Sequence, residues 1–146
     1  MFVPVDFEHD DLARCLRDAG FDARIPAFVS WLGVTQYLTR EAIEETLRLV
    51  AGFSHGTTAC VGYALPEAEL RDDLDRAFRS VAMSRAAAFG EPWLSLFTEQ
   101  EFENLVRRCG FRSVTHFGFR EAMRYFAGRP DGLRPSGQSR YVVAQN

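Results

Sequence analysis

The chain has 146 residues, nearly half of them apolar, which is enough for one domain with a buried core and excludes disorder as its resting state. Its net charge is −3 and its basic residues are scattered along the chain, which excludes a nucleic-acid groove, since phosphate binding needs Lys or Arg gathered on one face. Every basic residue is Arg, so lysine chemistry such as Schiff-base formation is excluded as well.

In chain order, Phe2 to Phe7 is short and β-rich, with Pro4 tolerable at a strand start or edge. From about Asp10, Leu12, Cys15, Leu16 and Ala19 fall at helical spacing. Gly20 should end that helix in the left-handed conformation, with Phe21 packing back on Leu16 as in a Schellman motif. Ile25 to Leu32 is nearly all apolar and predicts a central strand covered on both faces.

Thr39 predicts the N-cap of a helix with Ile43, Leu47 and Val50 on one side and Glu41, Glu44 and Glu45 near its positive end. Thr57 to Tyr63 predicts a third strand, and Glu67 to about Phe89 a long helix. After the Gly90-Glu91-Pro92-Trp93 loop, Thr98 with Glu101 forms a capping box for a helix burying Phe102, Leu105, Val106 and Cys109. Gly110-Phe111 stops it, and strands follow at Arg112 to Phe119 and Arg140 to Ala144, separated by a Gly/Pro-rich excursion. Strands alternating with helices are what a parallel sheet with crossover helices requires.

Little in this order announces chemistry. Cys15, Cys60 and Cys109 are odd in number and far apart, which fits neither a disulfide framework nor a metal knuckle, and a reducing cytoplasm is the expected compartment. No apolar run approaches the roughly 18 residues that span a bilayer, so no membrane partner is expected. His9 beside Asp10 and Asp11 could be weighed as a metal ligand, but the cluster reads as a solvated helix start and no metal is assigned. No Ser elbow of the G-x-S-x-G kind occurs.

Four separated patches carry a resemblance: Phe2-Val3-Pro4-Val5-Asp6-Phe7; Ser30-Trp31-Leu32-Gly33-Val34-Thr35-Gln36-Tyr37-Leu38-Thr39; Gly90-Glu91-Pro92-Trp93 with Phe97; and Arg124-Tyr125-Phe126. Together they resemble the actinobacterial branch of the leucine carboxyl methyltransferase family. The resemblance implies an α/β, Rossmann-like class I methyltransferase fold with sheet order 3-2-1-4-5-7-6. The sheet would be mostly parallel with an antiparallel last strand, and helices would lie on both faces. Residues 1–146 would form a single C-terminal portion holding strands three to seven, with strands one and two absent. Those two strands normally bring the glycine-rich turn that approaches the cofactor's methionine moiety and the acid that holds its ribose, so weak or no activity is expected of this chain alone.

The resemblance also implies S-adenosylmethionine as cofactor and methyl transfer to oxygen or carboxylate on an unidentified small-molecule or carboxylate-bearing substrate. Asp6 would accept the adenine amine and Phe7 would offer an apolar wall. Trp31 and Leu32 would floor the cofactor pocket, Leu32 standing where the family commonly has glutamate, and Tyr37 would face the methionine or substrate end. Trp93, Phe97, Tyr125 and Arg129 are candidates for a substrate mouth, with core packing as the competing role for Phe97 and Tyr125. No catalytic base can be named, and an ionised carboxylate acceptor requires none. Exposed sheet edges would allow a homodimer or pairing with a separate N-terminal half.

Overall fold

The computed structural model describes residues 1–146. Four strands form one sheet: β1 (Phe28–Trp31), β2 (Thr58–Ala64), β3 (Ser113–Phe117) and β4 (Ser139–Gln145), in the order β1-β2-β4-β3. β1 and β2 are parallel, and β4 runs antiparallel to both of its neighbours, so three strands share one direction and the last strand opposes them. That order and that reversal are the ones expected for strands four, five, seven and six of the methyltransferase sheet.

Five helices accompany the sheet: α1 (Leu12–Asp18), α2 (Arg40–Ala51), α3 (Asp73–Ala88), α4 (Glu99–Arg108) and α5 (Phe119–Phe126). Their ends are set by local chemistry. The Thr39 side chain accepts from Ala42 N at the start of α2, and Thr98 and Glu101 close the predicted capping box at α4. Gly20, at φ +85°, ends α1; Phe21 N donates to Leu16 O at 2.9 Å and Gly20 N to Arg17 O at 2.9 Å, the two bonds of a Schellman motif.

The core lies between one face of the sheet and α2 and α4. Ile43 and Leu47 from α2 meet Val61 and Tyr63 from β2, with Phe102 and Val106 from α4 and Val142 from β4. Tyr63 stacks on Phe102 at 4.2 Å between ring centroids. Each fully buried side chain of this kind stabilises the fold by roughly 2 kcal/mol. Leu16 and Phe21 pack α1 against the margin of the same core.

Several expectations change. Phe2 to Phe7 carries no strand: Asp6 O accepts from His9 N and Asp10 N instead, turning the chain towards α1 where no neighbouring strand offers a ladder. β1 stands at the end of the sheet, not its centre, and Phe28 is 70% exposed, so its apolar run is not covered on both faces. The helices that build the core occupy one face, and the other face is largely open. The predicted long helix from Glu67 is split, because Glu67–Glu69 forms one 3-10 turn and Asp72 then caps α3 by accepting from Asp75 N. The eight residues of α5 fall where only a strand end and a loop were expected.

Candidate functional site

Three chain segments converge at the C-terminal end of β1, the end at which open α/β sheets bind ligands. After Trp31 the chain turns at Gly33, whose φ of +71° is open to glycine without strain. The following 3-10 turn, Thr35–Tyr37, is pinned to β2 by Thr35 Oγ1 donating to Gly62 O at 2.7 Å in the interior. Gly62 suits that contact, since an added Cβ would sit 3.3 Å from the Tyr141 ring and 3.5 Å from Gly33 N.

The N-terminal segment joins this turn through Glu8. Its carboxylate accepts from Thr39 N at 2.8 Å and from Thr39 Oγ1 at 2.9 Å, placing an anion at the positive start of α2. Phe7 thereby reaches Trp31, with ring centroids 5.5 Å apart. The neighbouring Asp6 accepts from Glu8 N at 2.9 Å and His9 Nδ1 at 2.9 Å, and its carboxyl is held below the usual range, first by the backbone bond and then by His9. Phe7 and Trp31 also line an apolar cavity of about 230 Å³ that runs beneath β1 between α1 and α2.

The third segment precedes α4. Leu94 N donates to Gln36 O at 2.7 Å and Ser95 Oγ to Leu38 O at 2.7 Å, fastening residues 93–97 to the turn after β1. Trp93 meets Tyr37 edge to face at 6.3 Å. Above Trp93, at 4.8 Å from its ring, lies the guanidinium of Arg79, which is 4% exposed. Arg79 donates to Leu65 O at 2.5 Å and Gln138 O at 2.6 Å, tying α3 to the ends of β2 and β4. Burial lowers the Arg79 pKa from its ordinary value, partly offset by Glu67 and Asp75.

Asp6, Phe7, Trp31, Leu32, Tyr37 and Trp93 are therefore carried by segments that meet at one end of the sheet. Leu32 is 48% exposed and offers no polar atom there. Trp31 Nε1 and Trp93 Nε1 are buried donors without an acceptor among the chain's own groups. Phe97 departs from expectation: it is 2% exposed, packs against Phe102 at 5.2 Å and lies 4.3 Å from the Arg40 guanidinium, so it is a core residue, not part of a mouth. Arg129 pairs with Asp131 on its own loop, and Tyr125 is exposed beside Arg124 and Phe117, so neither joins the cluster.

Sequence reasoning missed Glu8, Ser95 and Arg79. The Glu8–Thr39 and Ser95–Leu38 contacts span 31 and 57 residues, which no local pattern announces. Arg79 reads as one more charge on an amphipathic helix, and only its burial distinguishes it.

Comparison with known proteins agrees with this geometry. Residues 1–51 match the model of the leucine carboxyl methyltransferase family. Over 98% of its length the chain is 34% identical to YktD of Bacillus subtilis, whose name places it among the S-adenosyl-L-methionine-dependent methyltransferases; the match covers 47% of YktD. The chain thus spans about half the length of that curated relative. Among solved structures, a SAM-dependent methyltransferase from Archaeoglobus fulgidus superposes with a TM-score of 0.53 at 12% identity, covering 86% of this chain and 61% of that one. A DUF574-family protein from Streptomyces avermitilis gives 0.56 at 15% identity, covering 86% and 46%. At such identities these superpositions establish the shared fold alone.

Proposed function

We propose, from the premise that this chain is leucine carboxyl methyltransferase-like, that it forms the adenine and acceptor side of an S-adenosylmethionine site serving methyl transfer to oxygen or carboxylate. The observation that carries the reading is the convergence of the Asp6-Phe7 segment, Trp31 and the Tyr37–Trp93 pair at the C-terminal end of β1.

The residues fit one end of that cofactor. A depressed, solvent-facing carboxylate on Asp6 is an acceptor for an exocyclic amine. Phe7 and Trp31 supply an apolar wall. Tyr37, edge-on to Trp93, can orient an acceptor with its hydroxyl, while Leu32 adds only an apolar floor. Arg129 serves this site only if its loop leaves Asp131. When bound, S-adenosylmethionine supplies an activated methyl on its sulfonium, so the protein's own part is alignment and exclusion of water.

Residues 1–146 include no glycine-rich turn leading from a strand into a helix and no acid placed for the ribose. We therefore take the site formed by these residues to be incomplete, with weak cofactor affinity and weak or no activity. The test is an NMR titration with S-adenosylmethionine. Millimolar binding that shifts Asp6, Phe7 and the Trp31 indole is the expected result. Micromolar affinity would overturn the incomplete site, and shifts absent or confined elsewhere would overturn the reading itself.

One observation favours a second reading, a non-catalytic half-protein that associates with itself or with a separate N-terminal half. β1 is the terminal strand of the sheet, so one of its edges has ladder groups without a neighbouring strand.

A further inference from the structure

We infer that Arg79 is a positioning residue for the acceptor side of the site: it fixes the plane of the Trp93 ring and, through that ring, the place of Tyr37. The inference rests on the reading that the Tyr37–Trp93 pair forms that side.

The guanidinium lies at the same end of the sheet as the site. It donates to Leu65 O, just past β2, and to Gln138 O, just before β4, and β2 runs parallel to β1. Arg79 is 4% exposed, yet its partners within the chain are two backbone carbonyls and one aromatic ring. Asp75, one turn earlier on α3, is engaged elsewhere: it accepts from Gly137 N at 3.2 Å and faces Arg134 at 3.6 Å.

Two carbonyls alone do not call for a buried cation. A neutral donor would satisfy them without the desolvation of a full charge. What arginine adds is a rigid planar fork that serves both carbonyls while its charge lies over an indole. Anchored at the ends of two strands, the guanidinium gives the Trp93 ring a fixed neighbour at 4.8 Å. The edge-to-face contact of that ring with Tyr37, at 6.3 Å, carries the constraint to the hydroxyl that orients an acceptor. The backbone beside Trp93 is fastened separately, by Leu94 N on Gln36 O and Ser95 Oγ on Leu38 O. Loss of Arg79 should therefore free the ring without releasing the segment that carries it.

NMR of the chain, before and during titration with S-adenosylmethionine, tests it. Without the cofactor, nuclear Overhauser effects should link the Tyr37 and Trp93 rings. Arg79→Met should lose them while keeping those between Tyr63 and Phe102, which stack in the core. On titration the wild type should respond at Asp6, Phe7 and Tyr37. The variant should keep the response at Asp6 and Phe7 and lose it at Tyr37, a split that a merely structural role would not produce. If Arg79→Met fails to fold, Arg79→Lys decides, since it keeps the charge but not the planar stack and should show the same split. A Tyr37–Trp93 contact absent from the wild type or intact in a folded variant would overturn the inference, as would a variant whose responses are all kept or all lost. A wild type with the ring contact but no response at Asp6, Phe7 or Tyr37 would overturn the reading of the site, and the inference with it.

Discussion

Glu8 grips Thr39 with both carboxylate oxygens, one on the backbone N–H at 2.8 Å and one on the hydroxyl at 2.9 Å, and so holds the N-terminal segment to the start of α2. Thr39 simultaneously accepts from Ala42 N as the helix cap, so a single side chain fixes both the helix and the segment that carries Asp6 and Phe7.

Thr39→Ala should therefore do more than uncap α2. Loss of the cap alone costs about 1 kcal/mol. Loosening of the first ten residues should accompany it, seen as faster amide exchange at Phe7 and Glu8. Glu8→Gln should free the segment while sparing the helix cap. In a double-mutant cycle by urea denaturation the two changes should not be additive, whereas additivity would show that the grip contributes nothing.

Arg79→Met should destabilise the chain by about 3 kcal/mol, because two backbone carbonyls at the ends of β2 and β4 lose their donor. Since the guanidinium lies over Trp93, indole emission should shift as well. Arg79→Lys should recover part of the stability but not the emission, as an ammonium cannot reproduce the planar stack or reach both carbonyls equally.

Gly20→Ala should cost roughly 1 to 2 kcal/mol, because a Cβ is strained at φ +85° although nothing crowds the position. Chemical denaturation checks the magnitude. A change near zero would mean that α1 ends differently in solution.

Tyr63→Phe removes the hydroxyl that lies 3.0 Å from His116 Nδ1, leaving that ring with only Glu103 at 3.5 Å from its other nitrogen. A loss of about 1 kcal/mol is expected. Nitrogen chemical shifts of His116 should report a change of tautomer, and unchanged shifts would show that the bond does not set it.

Acid should loosen α3 before the core. The Arg134 guanidinium and the Asp75 backbone bond lower the Asp72 pKa to about 2 from 3.8. A carboxyl whose folded value is depressed contributes stability above its unfolded value, and that contribution is lost as pH falls through the folded one. The docking of the 133–138 loop on α3 should therefore weaken between about pH 4 and pH 2. Amide exchange or chemical shifts at Gly137 and Gln138 would follow it, while shifts unchanged over that window would refute it.

Much of the fold was legible where the physics is local. Thr39 and Thr98 announce helix starts because a side-chain oxygen within three residues satisfies an orphan amide. Gly20-Phe21 announces a stop because only glycine enters the left-handed region freely. The strands Thr58–Ala64 and Ser139–Gln145 followed from runs of β-forming residues between turns, and the resemblance of four patches supplied the sheet order.

Chain sequence thus determined the starts of α2 and α4, the end of α1 and the apolar rows of those helices, all of which depend on neighbours within a turn or two, together with the family likeness, whereas the split before α3 and the presence of α5 were not legible in it. Only the tertiary structure decided that Phe2–Phe7 would turn and not pair, that β1 would stand at an edge, that Phe97 would enter the core, and that Glu8 and Arg79 would hold distant segments together. Each of those outcomes depends on which groups, many residues away, are present to accept a hydrogen bond or to exclude water, and a strand's own residues carry no record of whether a partner lies beside it.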